Sequence, residues 1–468
     1  MAVRRTKIVA TLGPGSSDPP LVESLVAAGM DVARVNASHG TPEQRAGLVR
    51  TVRAAAAKAG RPVAVLLDLR GPRIRVGDLS RPLALVPGQN VVFAPEGGAA
   101  PDRIPTTYEG LALDVAPGAL ILLDDGLIAC DVTAVEPPLV FATVAHGGTL
   151  SSRKGINLPG VAVTAPALTD KDRADAVFAA DHDVDYVALS FVRRAQDVAD
   201  LRALLPRHVR VVAKIEKDTA VSDAERIFDA SDAVMVARGD LGVELPFEEV
   251  PLVQKRLIRL AIERRRPVIT ATQMLESMVH NPRPTRAEAS DVANAILDGT
   301  DAVMLSAETA VGRYPREAVE AMDRIIREIE RHAEERPPAG ACGGPERPAR
   351  AEHAVAEAAV AAARMLHAPL IVGFSKSGFS ARVLAASRPP VPILVATDDE
   401  RTYRQMALIW GVVPMLADGP PRYETMLDAA RERILSSGLA KKGDRVVATA
   451  GVPFDVPGTT NLMKIEEV

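Results

Sequence analysis

The sequence predicts an α/β protein built on an eight-stranded (β/α)8 TIM barrel, with an inserted small all-β lid and a C-terminal open-sheet α/β unit. The first observation is that short β-branched runs recur about eight times, each followed by a helical pattern. The second is that polar and charged residues gather where those runs end, as at Lys214, Glu216 and Asp240. In a barrel of this kind the loops after the strands converge over the active-site mouth. The third is a change of pattern after Gly71, where short alternating runs separated by Pro and Gly replace the strand-helix rhythm until about Ala165.

Taken in order, the run 7–12 ends at Gly13-Pro14, and the run 32–36 leads into Ser38-His39-Gly40. The run 63–67 ends at Asp68, and 186–189 ends at Ser190. The runs 211–216 and 233–237 carry Lys214-Ile215-Glu216 and lead into Arg238-Gly239-Asp240. The last two, 267–271 and 301–305, end at Thr272-Gln273 and at Ser306-Ala307-Glu308. Continuous apolar runs of this length suit strands buried on both faces. The intervening helices have ordinary signals. Thr169 to Asp172 reads as a capping box, Thr285 and Glu288 open a helix that Gly299 closes, and Pro315 starts another. The apolar stripe Val319, Met322, Ile325, Ile326 and Ile329 on that last helix is core packing.

These patterns divide the chain into a catalytic barrel at 1–70 and 166–335, a β-barrel-like lid at 71–165, a linker at 336–350 and a regulatory α/β unit at 351–468. An insertion at a strand-to-helix loop of a barrel overhangs its mouth, which makes it a lid. The linker is assigned from its Pro, Gly and charge content. In the last unit, strands are expected at 370–373, 393–395, 446–449 and 462–465. Between its first strand and the next helix lies Ser375-Lys376-Ser377-Gly378-Phe379-Ser380. Hydroxyls, a lysine and a glycine at such a turn suit a phosphate, though capping by Ser377 or Ser380 has the same pattern.

Composition excludes several classes. The 468 residues carry a formal charge of −4, so no polybasic surface argues for nucleic acid. No apolar segment reaches membrane-spanning length, and the chain enters a strand by Lys7, leaving no room for a signal peptide. The two cysteines, Cys130 and Cys342, fall in different units and suit a reducing, cytoplasmic setting. Aromatic residues are 3%, so the cores must be aliphatic.

The chemistry is concentrated in Lys214, Glu216 and Asp240. Buried strand ends are poor places for charge unless the groups pair or bind something. A lysine with two carboxylates there suggests an anion held beside a divalent metal; an ion-pair lattice at the sheet rim is the alternative.

With these residues in view, the chain resembles the pyruvate kinase family, of bacterial type, nearly end to end. The resemblance rests on the segments 4–14, 33–40, 214–216, 235–242, 271–278 and 282–288, among them Ala237-Arg238-Gly239-Asp240 and Ala271-Thr272-Gln273-Met274. It implies phosphoryl transfer from phosphoenolpyruvate to ADP, giving pyruvate and ATP, with Mg²⁺ or Mn²⁺ as cofactor. Glu216 and Asp240 would be the metal ligands, Lys214 would neutralise the phosphoryl group, and Arg34 would hold it. Gly239, Asp240 and Thr272 would contact the substrate, with Thr272 and Ser306 near the carbon that receives a proton. Asn36, His39, Arg75 and Lys154 would meet the nucleotide, although Gln44 stands where nucleotide-binding members often have Tyr. The loop Ser375, Lys376, Ser377, Gly378 and Ser380 would bind a phosphorylated small-molecule effector, and the family implies a homotetramer.

One departure concerns the monovalent ion. Potassium-dependent members hold K⁺ with residues matching Asn36, Ser38 and Asp68 and the carbonyl at the position of Leu69. Here Leu69 replaces Thr, and Arg73 stands where those members have Glu, so K⁺ is expected to be dispensable. Pairing of Arg73 with a lid carboxylate such as Asp78 is the alternative. Two other functions fit parts of the pattern: a different Mg²⁺-dependent barrel acting on a pyruvate enolate, such as an aldolase or lyase, and a non-catalytic effector-binding paralogue.

Overall fold

The computed structural model describes residues 3–98, 103–332, 350–418, 422–452 and 460–468. Most of the expected linker (336–349), and Cys342 within it, lie outside the described residues. Eight parallel strands close into a barrel: β1 (Lys7–Leu12), β2 (Val32–Asn36), β3 (Ala64–Asp68), β4 (Tyr186–Leu189), β5 (Arg210–Ile215), β6 (Ala233–Ala237), β7 (Val268–Ala271) and β8 (Ala302–Leu305). Around the ring the order is β1-β8-β7-β6-β5-β4-β3-β2. Alternation sorts each strand between two cores. Val9, Val32, Leu66, Val212, Met235, Ile269 and Met304 fill the barrel interior. Ile8, Val35, Leu67, Ala213, Ile215 and Val234 pack outward against the helices. Every strand is therefore apolar on both faces, which explains the unbroken runs. The register sets Asn36 beside Asp68 and Ala237 beside Ala271, so the residues that follow emerge at one level.

The insertion carries its own apolar core, including Phe93, Ile121, Leu123 and Val140. Its strands form a six-stranded sheet, with a separate two-stranded ladder of Leu83–Leu85 and Gly148–Leu150. The segment 74–77 runs between the outermost strands, Ile156–Asn157 and Ile104–Thr106: Val76 bridges Thr106 and Arg75 bridges Gly155. Ile156 N–H donates to the Ile74 carbonyl at 2.9 Å and Gly77 N–H to the Pro105 carbonyl at 2.7 Å, so this segment links the two edges of the sheet.

The C-terminal sheet has five described strands: β9 (Ile371–Phe374), β10 (Ile393–Thr397), β11 (Val412–Leu416), β12 (Arg445–Ala450) and β13 (Leu462–Glu467). Their order is β11-β10-β9-β12-β13, with β13 antiparallel to β12. Strand β11 was not expected. Pro414 lies in its middle and argues against a strand, but β11 is at the sheet edge, where a missing N–H is tolerated.

This unit docks on the amino ends of the barrel strands. Tyr186 Oη donates to the Gln405 carbonyl at 2.7 Å, Arg404 pairs with Asp185 at 3.1 Å, and Lys7 Nζ donates to the Val412 carbonyl at 2.7 Å. Burial pushes the Lys7 ammonium down from the ordinary 10.5 to about 8, with Asp31 opposing. A lysine whose folded value is lowered leaves the unfolded chain with more bound protons between about pH 8 and 10.5. Its contribution to stability therefore rises with pH across that window, by at most about 1.4 kcal/mol per pH unit. Lys7→Met should remove this slope. Urea midpoints of the two proteins should diverge in favour of wild type as pH rises through the window; a constant difference would rule out a depressed Lys7.

Candidate active site

The site is built at the carboxyl ends of neighbouring strands. Lys214 and Glu216, two apart on β5 and the residues just after it, point to the same side. Lys214 is 8% exposed. Its Nζ lies 2.7 Å from Glu216 Oε1 and 3.3 Å from Asp68 Oδ1, and donates to Ser190 Oγ at 2.8 Å. Asp68 also takes Arg34, whose Nε donates to Oδ2 at 2.7 Å, while Arg34 Nη1 donates to Thr11 Oγ1 at 2.9 Å. Burial works against both charges, yet the partners outweigh it. Lys214 is raised above its ordinary range by Asp68, Glu216 and Asp240. Asp68 is held below the carboxylate range by Lys214 and Arg34. Lys214 and Asp68 thus favour their charged forms in one buried place.

Asp240 is the exception. It lies in the first turn of helix Arg238–Glu244 and is half-buried. Burial, and then Glu216, push its carboxyl up to about 6, with Lys214 and Arg73 opposing. A carboxylate crowded against another without full compensation is a donor set that a hard divalent cation would satisfy, and two protein oxygens leave positions for substrate and water. Groups of three or more His, Cys, Asp or Glu suited to a metal are absent among the described residues.

Just after β7, Thr272 and Gln273 both adopt positive φ, 69° and 55°. That conformation is unfavourable for a β-branched residue and needs outside support. Arg238 supplies it: Nη2 donates to the Thr272 carbonyl at 2.7 Å and the Gln273 carbonyl at 3.3 Å, while Nη1 pairs with Asp291 at 2.7 Å. Thr272 Oγ1 accepts from Gly239 N–H at 2.8 Å and donates to the Ala271 carbonyl at 2.6 Å. A Cβ on Gly239 would lie 3.3 Å from that hydroxyl, so the close approach favours glycine. Ser306 Oγ is buried and lacks a hydrogen-bond partner among the described residues. The Ser306 loop is held by Glu308, which takes the N–H groups of Leu275 and Ser306 at 3.0 and 2.7 Å.

The lid residues Arg75 and Lys154 are neighbours. Arg75 bridges Gly155, and Val76 N–H donates to the Lys154 carbonyl at 2.8 Å. Lys154 pairs with Asp124 at 2.8 Å, and Arg75 donates to the Arg153 carbonyl at 2.6 Å. Burial, Arg73 and Arg70 lower the Arg75 guanidinium, which marks a basic cluster at the lid hinge. Asn36 Oδ1 accepts from Ser38 N–H at 2.9 Å, and His39 is exposed beside them. Gln44 closes a capping box with Thr41, a local role in helix Pro42–Ala59. The Leu69 carbonyl accepts from Ser190 Oγ at 2.8 Å. Arg73 is exposed and has no ion pair among the described residues; Asp78, its expected alternative partner, pairs with Arg153 instead.

In the C-terminal unit the helix Phe379–Ala386 begins at Gly378, φ 70°, without a side-chain cap. Capping by Ser377 or Ser380 does not occur; Ser380 Oγ lies 2.7 Å from Thr460 Oγ1. Lys376 is 4.0 Å from Asp398. Four contributors were not singled out from sequence: Thr11, Ser190, Arg238 as a backbone clamp, and the N–H of Phe191, which donates to Glu216 Oε2 at 2.6 Å. Ser190 carried a signal, since it ends a strand run beside Asp68; the other contacts are set only by packing.

A closed barrel whose mouth joins two cations to converging carboxylates under an inserted sheet defines an enzyme acting on an anionic substrate. The chain belongs to the pyruvate kinase family, and it is a transferase of glycolysis. The family description "Pyruvate kinase, barrel domain" matches residues 3–319, and "Pyruvate kinase, alpha/beta domain" matches 353–466. The pyruvate kinase of Geobacillus stearothermophilus is 46% identical over 473 residues, covering 99% of this chain and 80% of that one. That of Mycobacterium tuberculosis is 46% identical over 472 residues, covering 99% and 98%. A crystal structure of a pyruvate kinase from Cryptosporidium parvum superposes with a TM-score of 0.92 at 33% identity, covering 99% of this chain and 96% of that one. The aldolase or lyase reading and the non-catalytic paralogue are therefore set aside.

Proposed function

We propose that this chain transfers the phosphoryl group of phosphoenolpyruvate to ADP at the Lys214 cluster and then protonates the enolpyruvate to pyruvate. The observation that carries the assignment is a buried lysine whose charge is locked on by Asp68 and Glu216 while its Nζ stands at the mouth of the barrel. Transfer of a phosphoryl group asks the protein for positioning and charge rather than covalent chemistry. Lys214 and Arg34 meet the phosphate, and their shared partner Asp68 holds both in place. Glu216 and Asp240 would hold Mg²⁺ or Mn²⁺, which when bound supplies positive charge between substrate carboxylate and phosphate. The Gly239 turn, locked by Thr272, faces the carboxylate. Ser306, with its unpartnered hydroxyl, and Thr272 lie on the side where the proton arrives. Asn36, His39, Arg75 and Lys154 take the nucleotide. Formation of pyruvate that depends on ADP tests the reaction directly; release of pyruvate without ADP would overturn it.

We also propose that K⁺ is dispensable. Arg73 is close enough to Asp240 to lower its proton affinity, and its alternative partner Asp78 is taken, so a permanent cation already stands at the site. In tetramethylammonium buffer at constant ionic strength, wild type should be active and Arg73→Glu should gain K⁺ dependence. A wild-type kcat rising more than about tenfold (some 1.4 kcal/mol) on adding KCl would overturn this.

The Ser375–Gly378 loop is proposed to bind the phosphate of a metabolic effector in a homotetrameric, cytoplasmic enzyme. Among the described residues no helix is long and apolar enough to cross a membrane. Phosphorylated metabolites screened on wild type and Lys376→Ala should shift half-saturation only in wild type. Identical responses would leave the loop no regulatory role.

A further inference from the structure

On the face away from the mouth, the helix Phe379–Ala386 packs near the chain that enters β7. Between them lies a shallow cleft, open to solvent, bordered by Arg265, Arg266, Arg382 and Arg388 and by a single carboxylate, Asp301. That carboxylate is already committed: Oδ1 accepts from Arg388 Nη1 and Oδ2 from Val268 N–H, both at 2.9 Å.

The acids behind the cleft are committed as well. Asp232 takes Arg202 at 2.6 Å and Arg210 at 3.4 Å, and Asp229 pairs with Arg264. Glu352 and Glu357 lie within electrostatic reach of Arg265. Arg266 and Arg382 are left over. Arg266 donates only to the carbonyls of Phe228 and Asp229, each at 3.0 Å. Arg382 donates to the Ser377 carbonyl at 3.4 Å, and that carbonyl is shared with Arg210 at 3.1 Å. Among the described residues neither Arg266 nor Arg382 forms an ion pair. Burial, and then Arg210, push Arg382 down to about 10, with Asp232 opposing from beyond ion-pair distance. Such a group is costly unless an anion completes it, and a planar donor fork matches phosphate oxygens.

We propose that this cleft binds a small polyanion of the phosphate or pyrophosphate type, bridging Arg266 of the barrel and Arg382 of the C-terminal unit. The site adjoins the Ser375–Gly378 loop, whose Ser377 carbonyl Arg382 meets, and differs from it in drawing its second donor, Arg266, from the barrel. An anion there ties the two units together, because each contributes one of the two unpaired cations.

Pyrophosphate titrated calorimetrically into the full chain tests this. Lys376→Ala should keep a binding event, and adding Arg382→Met to it should weaken that event at least tenfold. Arg266→Met should weaken it similarly, and keeps the test valid should Arg382→Met fold poorly. Unchanged affinity in both arginine variants, or loss of all binding in Lys376→Ala alone, would overturn the proposal. So would the absence of heat in wild type.

Discussion

Lys214→Met should lower kcat by about 10³, a loss of roughly 4 kcal/mol of transition-state stabilisation. The side chain is nearly isosteric, so the change is one of charge. In the wild type, Asp68 and Glu216 hold the ammonium charged despite burial, leaving it free to face charge that develops on the phosphoryl group. In the variant Arg34 still neutralises Asp68, whereas Glu216 retains only the Phe191 N–H and its acidic neighbour Asp240. Some stability is therefore lost along with activity, and the fold must be checked independently. Trp410 is the single tryptophan, lies against Arg5 and Arg388 where the two units meet, and reports on their docking by fluorescence. A folded variant with wild-type kcat would remove Lys214 from the mechanism. Ketonisation of enolpyruvate, assayed separately, should fall far less, because it does not move a phosphoryl group.

Asp240→Asn is expected to raise the Mg²⁺ concentration for half-maximal activity by at least about a hundredfold, since an anionic first ligand should matter no less than the outer partners whose loss costs 10–100-fold. Stability should move the other way. Without metal, Asp240 is a carboxylate set against Glu216 in a buried site, and Asn removes the repulsion. In EDTA at neutral pH the variant should melt above wild type; with saturating Mg²⁺ the order should reverse, because binding to the folded state stabilises wild type more. A variant with unchanged metal dependence would move the ligand role away from Asp240. This opposition between stability and activity is expected where a site is built to be completed by a ligand.

The barrel was legible because parallel strands buried on both faces must be continuously apolar, and the chain repeats that pattern eight times. Lys214, Glu216 and Asp240 were legible because a charge at the end of such a strand has no innocent place to go. Strand β11 was missed because Pro414 contradicts a strand until its edge position is known.

By itself, then, the sequence determined the order of the barrel strands, the residues that carry charge to the mouth and the family to which the chain belongs, because these depend on local periodicity and on motifs along one strand. Only the tertiary structure decided how those charges are shared. Asp68 serves Arg34 and Lys214 at once, Ser190 steadies the same lysine, and Arg238 holds Thr272 and Gln273 in a backbone conformation neither would choose alone. The tertiary structure also left Arg266 and Arg382 facing a cleft whose acids are spent elsewhere. Each of these depends on side chains far apart in the chain, and no spacing rule encodes which arginine reaches a carboxylate first.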